Sequence, residues 1–276
     1  MLPTGYKMTP LSEGVRSLAD DQATKTHVDR MESLAVLAGK TGHDLNNFLM
    51  AILGNTSLAM MEMTEDDTNY RYLKQVEQAA NRASEFANHL LVFAGKGRCS
   101  FKSTDVSSLI HEMEMIIETA SINGCEVSYQ LKPNLPPVHA DVSQMRQIVS
   151  GMLKNCCESM ESGGEIHVRT GEYEVQGDEF LYLTRVDSET DFVYMEFEDC
   201  GTGMTESVAR HMFDPFFSTK AKGRGLGLAN IYGIVRAHLG NIIVHSEPGR
   251  GTRIRILFPP AERFRRMNSH FFPGQT

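Results

Sequence analysis

Residues 28–63 constrain the fold of this chain more than any other stretch. Val28, Met31, Ala35, Ala38, Gly42, Leu45, Leu49, Ile52, Thr56, Ala59 and Met63 recur at alternating steps of three and four. That spacing is a heptad seam on one long helix. Residues 64–68, Thr-Glu-Asp-Asp-Thr, interrupt it with capping and acidic side chains suited to a new helix start. A second seam follows through Leu73, Val76, Ala80, Ala83, Ala87, Leu90 and Ala94, broadened by Tyr72, Ala79, Phe86 and Phe93. Two long helices joined by a short turn form an antiparallel hairpin. A lone hairpin cannot cover both seams, so the expectation is a homodimer whose hairpins pair into a four-helix bundle. The alternative is a hairpin docked on its own next domain.

Inside the first seam, residues 42–49 read Gly-His-Asp-Leu-Asn-Asn-Phe-Leu. At about 100° per residue, His43 and Asn47 share one helix face a turn apart, with Asp44 beside them. His43 falls one residue off the seam, toward the flank of a bundle. A nucleophile, a proton acceptor and an amide are thereby brought within reach of one small group. Taken alone, the same residues describe a solvated polar patch.

Gly95-Lys96-Gly97-Arg98 reads as a helix stop and linker, and the rhythm then becomes mixed. Helices are expected over residues 106–120, 143–161 and 226–239. Strands are expected over residues 126–131, 166–175, 192–198, 242–245 and 252–258, with a Pro-rich turn at 134–137. Intermixed strands and helices, closing on consecutive strands, favour an α+β sandwich with its helices on one sheet face. The expected division is a lead-in at 1–23, a helical domain at 24–98, an α+β domain at 99–262 and a tail at 263–276. With 276 residues, 41% hydrophobic and 22% charged, the chain has the material for two cores. A net charge of −8 argues against nucleic acid or an anionic membrane as the main partner. The five cysteines show no metal-ligand spacing and suit a reducing compartment, packed as small hydrophobes. No apolar run approaches the roughly 18 residues of a membrane span, so the expected location is cytoplasmic, including the cytoplasmic part of a larger sensor.

Four stretches of the second half carry chemistry. On a helix, Asn155 and Glu158 share a face, and an amide oxygen there is a ligand for Mg²⁺. Asp199-Cys200-Gly201-Thr202-Gly203 follows a strand, placing a carboxylate able to accept from an exocyclic amine beside bare backbone that a purine approaches closely. Phe213-Asp214-Pro215-Phe216-Phe217-Ser218-Thr219-Lys220 is an aromatic-rich turn ending in a cation offered to phosphate. Gly223-Arg224-Gly225-Leu226-Gly227 opens a helix whose N-terminal amides suit an anion. It is neither a Walker loop nor a dinucleotide fingerprint.

Their order and spacing resemble the catalytic core of two-component sensor histidine kinases, whose ATP-binding half is similar to the GHKL ATPases. The resemblance covers residues 24–260. Asp44 through Asn47 looks most like the subgroup frequent in hybrid kinases. It implies that His43 is the phosphoacceptor, that Asp44 orients the ring and takes its proton, and that Asn47 serves dephosphorylation of a response regulator. It implies that Asn155 holds Mg²⁺, with Glu158 supporting, and that Asp199, Gly201 and Gly203 receive the adenine of ATP. Lys220, Arg224, Gly225 and Gly227 would meet the phosphates, and a response-regulator receiver domain would be the partner. The linker at 95–100 would be the hinge. Against the family pattern, Gly151 stands where a second Asn is frequent, the segment between Lys220 and Gly225 is short, and residues 171–191 have no assigned pattern. Arg263, Arg265 and Arg266 in the tail read as solvated. A non-kinase GHKL ATPase and a phosphotransfer protein that has lost ATP are the rival readings. The helix around His43 counts against the first, and the intact Asn155, Asp199 and glycines against the second.

Overall fold

The computed structural model describes residues 18–95, 99–117, 124–160, 162–174, 191–220 and 225–264. Helix α1 (Leu18–Met61) and helix α2 (Thr68–Phe93) form the expected hairpin. At 44 residues, α1 is about 66 Å long. Asp67 caps α2, its carboxylate accepting from the amide of Asn69 at 2.7 Å. Gly42 faces Ala87, Leu90 and Leu91, and Asn46 donates to Asn88 at 2.9 Å, so α2 runs back along α1. A methyl group at position 42 would lie 3.0 Å from the Ala87 carbonyl oxygen, so this glycine sets how closely the helices approach beside His43. Leu49, Ala80 and Ala87 fill the hairpin's own small core.

Strand β1 (Phe101–Thr104), helix α3 (Val106–Ile117), strand β2 (Cys125–Leu131), strand β3 (Val138–Asp141), helix α4 (Val142–Glu158) and strand β4 (Gly164–Glu174) open the second half. Strand β5 (Asp191–Asp199), helix α5 (Glu206–His211), helix α6 (Gly227–Ala237) and strands β6 (Asn241–Glu247) and β7 (Gly251–Phe258) complete it. Five strands form one sheet in the order β2-β4-β5-β7-β6, antiparallel except for the β2–β4 pair. β1 and β3 pair separately with each other.

The alternation of β5 explains the layering. Val193, Met195 and Phe197 enter a core shared with Met145, Ile148, Val149 and Met152 of α4, Ile231 and Ile234 of α6, and Ile110 of α3. Their neighbours Glu196 and Glu198 point the other way, paired with Arg169, Arg253 and Arg255. The helices therefore cover one face, as the sequence leads one to expect. Met31, Ala35 and Phe93 of the hairpin join this same core cluster.

Residues 171–174 continue β4 and residue 191 begins β5; residues 175–190 lie outside the described residues, as do 96–98 of the linker and 265–276 of the tail. One expectation is overturned. Cys125 and Cys157 are joined in a disulfide, with their Cα atoms 6.0 Å apart, whereas all five cysteines were expected as thiols. The physical reason is tertiary. β2 runs parallel to β4 and brings its first residue over the last turn of α4, a proximity that a sequence separation of 32 does not announce.

Candidate nucleotide and phosphoacceptor sites

His43 is 70% exposed on α1, well clear of the seam between the helices. Its Nδ1 lies 3.5 Å from Asp44 Oδ1 and 3.4 Å from Asn47 Nδ2, both long contacts to the same nitrogen. The two neighbours favour opposite tautomers. A carboxylate at Nδ1 wants a proton there, leaving the Nε2 lone pair to attack, whereas the Asn47 amide donates to a bare Nδ1. Asn46, which the sequence leaves unassigned, turns inward and ties α1 to α2 through Asn88.

The second site gathers at the C-terminal end of α4. Lys220 donates to Asn155 Oδ1 at 3.2 Å and to Glu158 Oε2 at 2.8 Å. Asp199, at the end of β5 and 6% exposed, accepts at Oδ1 from Ser159 Oγ (3.0 Å) and from the Gly201 amide (2.9 Å). Burial first, then the charge of and a hydrogen bond to Asp199, push the Cys156 thiol far above its ordinary range. Asn155, Glu158, Asp199 and Lys220 thus come together from three separate stretches.

Two glycines here are required by shape. Gly203 (φ +62°) passes so close to the Glu247 carbonyl, and Gly225 (φ +64°) to the Phe216 backbone, that any Cβ would collide. Gly227, in contrast, opens α6 with no atom of the described residues within 4 Å of where a Cβ would stand. The Phe216 amide donates to the Gly225 carbonyl at 2.9 Å, clasping the ends of the segment between them. Gly223 and Arg224 of that segment lie outside the described residues. Among the described residues no side chain caps the N-terminus of α6, whose first amides are of the kind that suits an anion. Gly151 packs toward α6, where a Cβ would lie 3.2 Å from Ile231 Cδ1.

Sequence reasoning did not single out Ser159 or Cys156, whose contacts to Asp199 cross some forty residues. Nor did it foresee Phe86 of α2, whose ring stacks on exposed Phe216 with centroids 6.1 Å apart.

Residues 140–262 match the family model described as "Histidine kinase-, DNA gyrase B-, and HSP90-like ATPase". Over 232 residues the chain is 32% identical to "Sensor kinase CckA" of Brucella abortus (strain 2308), covering 83% of this chain and 24% of that protein. This chain carries the catalytic core of a two-component histidine kinase. It is also 28% identical over 241 residues to "Sensory histidine kinase/phosphatase NtrB" of Azospirillum brasilense, covering 85% of this chain and 58% of that one. In fold it is similar to full-length ShkA, solved in complex with AMPPNP, with TM-score 0.54 and 24% identity over 83% of this chain and 46% of that chain. The chain therefore spans from about a quarter to under two thirds of the length of these histidine kinases. Among the described residues, no helix of the core is long and apolar enough to cross a membrane.

Proposed function

We propose that this chain is an ATP-dependent protein histidine kinase that phosphorylates His43 and passes the phosphoryl group to a response-regulator aspartate. The observation that carries the reading is the convergence of Asn155, Glu158, Lys220 and Asp199 at the end of α4, in a chain whose helical half exposes His43. The oxygens of Asn155 and Glu158 already converge on a cation, the Lys220 ammonium, and this all-oxygen donor set fits a hard divalent ion such as Mg²⁺. Asn155 would hold that ion, with Glu158 in support, and a bound Mg²⁺ would neutralise charge between the phosphates. Asp199, beside Gly201 and Gly203, would accept from the adenine amine of ATP. Lys220, Arg224 and the amides at Gly225 and Gly227 would take the phosphate oxygens.

In the transfer, the neutral His43 ring attacks the γ-phosphorus through Nε2. The P–N bond forms as the bond to the bridging oxygen breaks and ADP leaves. Asp44 accepts from Nδ1–H as positive charge builds on the ring. Residues 24–98 would act as the dimerisation and phosphotransfer domain and residues 99–262 as the catalytic domain, in a cytoplasmic setting. Leu37, Phe48 and Ile52 lie on one exposed side of α1, and Tyr72 and Val76 are exposed on α2; a second hairpin would cover them. Val36 and Met50 stand two turns before and after His43 on its own face, an apolar surround for a receiver domain. Asn47 would orient the water that removes phosphate from that regulator, giving a second, phosphatase activity.

Incubation with γ-labelled ATP and Mg²⁺ tests the reading. Acid-labile, base-stable label is expected on the wild type and none on Asn155→Asp. Acid-stable label would exclude a phosphohistidine.

A further inference from the structure

Ser159, directly after α4, has no part in the account above, yet it touches the residue that would read the base. Its hydroxyl lies 2.7 Å from the Cys156 carbonyl oxygen and 3.0 Å from Asp199 Oδ1, so its one proton is shared between the two acceptors. The Gly201 amide donates to the same Oδ1 at 2.9 Å. A Cβ on Gly201 would collide with the Ser159 hydroxyl, so the glycine is what lets that hydroxyl reach the carboxylate. The Ser159 carbonyl accepts from the Thr202 amide at 3.2 Å, which ties the end of α4 to the loop after β5. With Oδ1 committed to Ser159 and Gly201, and the buried Cys156 thiol a further hydrogen-bond partner of the same carboxylate, the plane of Asp199 is fixed for an incoming amine.

We propose that Ser159 is the positioning residue that holds Asp199 in the orientation that accepts from the 6-amino group of an adenine nucleotide, and so sets the preference of this site for 6-amino over 6-oxo purines. A 6-oxo purine offers an acceptor where the 6-amino purine offers a donor, and a fixed carboxylate repels it. The proposal rests on the adenine-reading role of Asp199 stated above.

The test is equilibrium binding of ADP and of inosine diphosphate, both with Mg²⁺, to the 276-residue chain and to its Ser159→Ala and Asp199→Asn variants. Ser159→Ala should weaken ADP by about three- to tenfold and change inosine diphosphate by less than about twofold, the loss expected for one ordinary hydrogen bond, since the Gly201 amide still holds the same carboxylate oxygen. In autophosphorylation the same variant should raise KM for ATP and leave kcat unchanged. Equal weakening of both nucleotides would mean that Ser159 merely packs, and no weakening of either would mean that Asp199 is held without it; each overturns the proposal. If Asp199→Asn lowers the ADP preference while Ser159→Ala keeps it, only the role of Ser159 falls. If Asp199→Asn keeps the wild-type preference, the adenine reading falls and the proposal with it. The far-UV circular dichroism of Ser159→Ala should match the wild type, since alanine is well tolerated at a helix end.

Discussion

Asp44 and Asn47 compete for one nitrogen of His43, and this separates their expected effects. Asp44 favours the tautomer that leaves Nε2 nucleophilic, so Asp44→Asn should slow autophosphorylation by about 100-fold with little change in KM for ATP, as loss of a proton acceptor does. Asn47 favours the opposite tautomer, so Asn47→Ala should leave autophosphorylation within about twofold while slowing regulator dephosphorylation. Equal loss of both activities in Asn47→Ala would instead assign the amide to support of His43. The motif around His43 was legible because an exposed His-Asp-x-Asn-Asn run interrupts an apolar period. The contacts of Ser159 were not legible, because a hydroxyl reaching a carboxylate forty residues away leaves no local pattern.

His238 is buried after α6, where its ring accepts from the Asp141 amide at 3.0 Å and donates to the Ile234 carbonyl at 2.8 Å. Burial holds its pKa down to about 4, against about 6.5 when unfolded. Between those values the unfolded chain binds a proton that the folded chain refuses, so stability is full above pH ~6.5 and falls as pH drops toward 4. The loss amounts to about 3 kcal/mol. Urea unfolding from pH 7 to pH 4 should show this slope, and His238→Gln should flatten it.

Among the elements, those with a long period were legible and those without one were not. Both hairpin helices, α4, α6 and the strands of the main sheet have runs long enough to declare helix or strand. β1 and β3 have four residues each and gain their identity by pairing with one another across more than thirty residues. α5 has six, and its start is marked by Thr205, whose hydroxyl accepts from the Val208 amide, and by Glu206 in the first turn. The Cys125–Cys157 bridge belongs to this scale, since it pins the first residue of β2 to the last turn of α4. Closing a loop of 32 residues stabilises by roughly 3–4 kcal/mol in the chain-entropy account. Reductant, or Cys157→Ser, should lower the melting temperature of the α/β part accordingly. Titration of five free thiols in the native protein would contradict the bridge.

In the whole molecule the hairpin packs against the α/β part, chiefly α2 against α6. Phe93 packs on Tyr232, the Phe86 ring lies on Phe216, and Gly233 sits against the backbone of Val92 and Phe93 too closely for a Cβ. The sequence offers docking of the hairpin on its own next domain only as an alternative, and it does not single out Gly233 or the other residues for that contact. Transfer to His43 would require the nucleotide to move relative to α1, so Phe86→Ala should release Phe216 and change the autophosphorylation rate without changing ADP affinity. The exposed apolar side of the hairpin makes the other prediction at this scale. Phe48→Glu with Ile52→Glu should halve the mass seen by light scattering while leaving ADP binding intact, because these side chains lie far from Asp199 in the sequence and on the other half of the chain.

The central claim is that the imidazole of His43 receives the γ-phosphoryl group of ATP. Phosphorylated protein, prepared with ATP and Mg²⁺ and examined by heteronuclear NMR of the histidine rings, should carry one phosphoryl group on Nε2 of His43, and His43→Gln should carry none. A phosphoryl group on any other residue, or label retained in His43→Gln, would contradict the account.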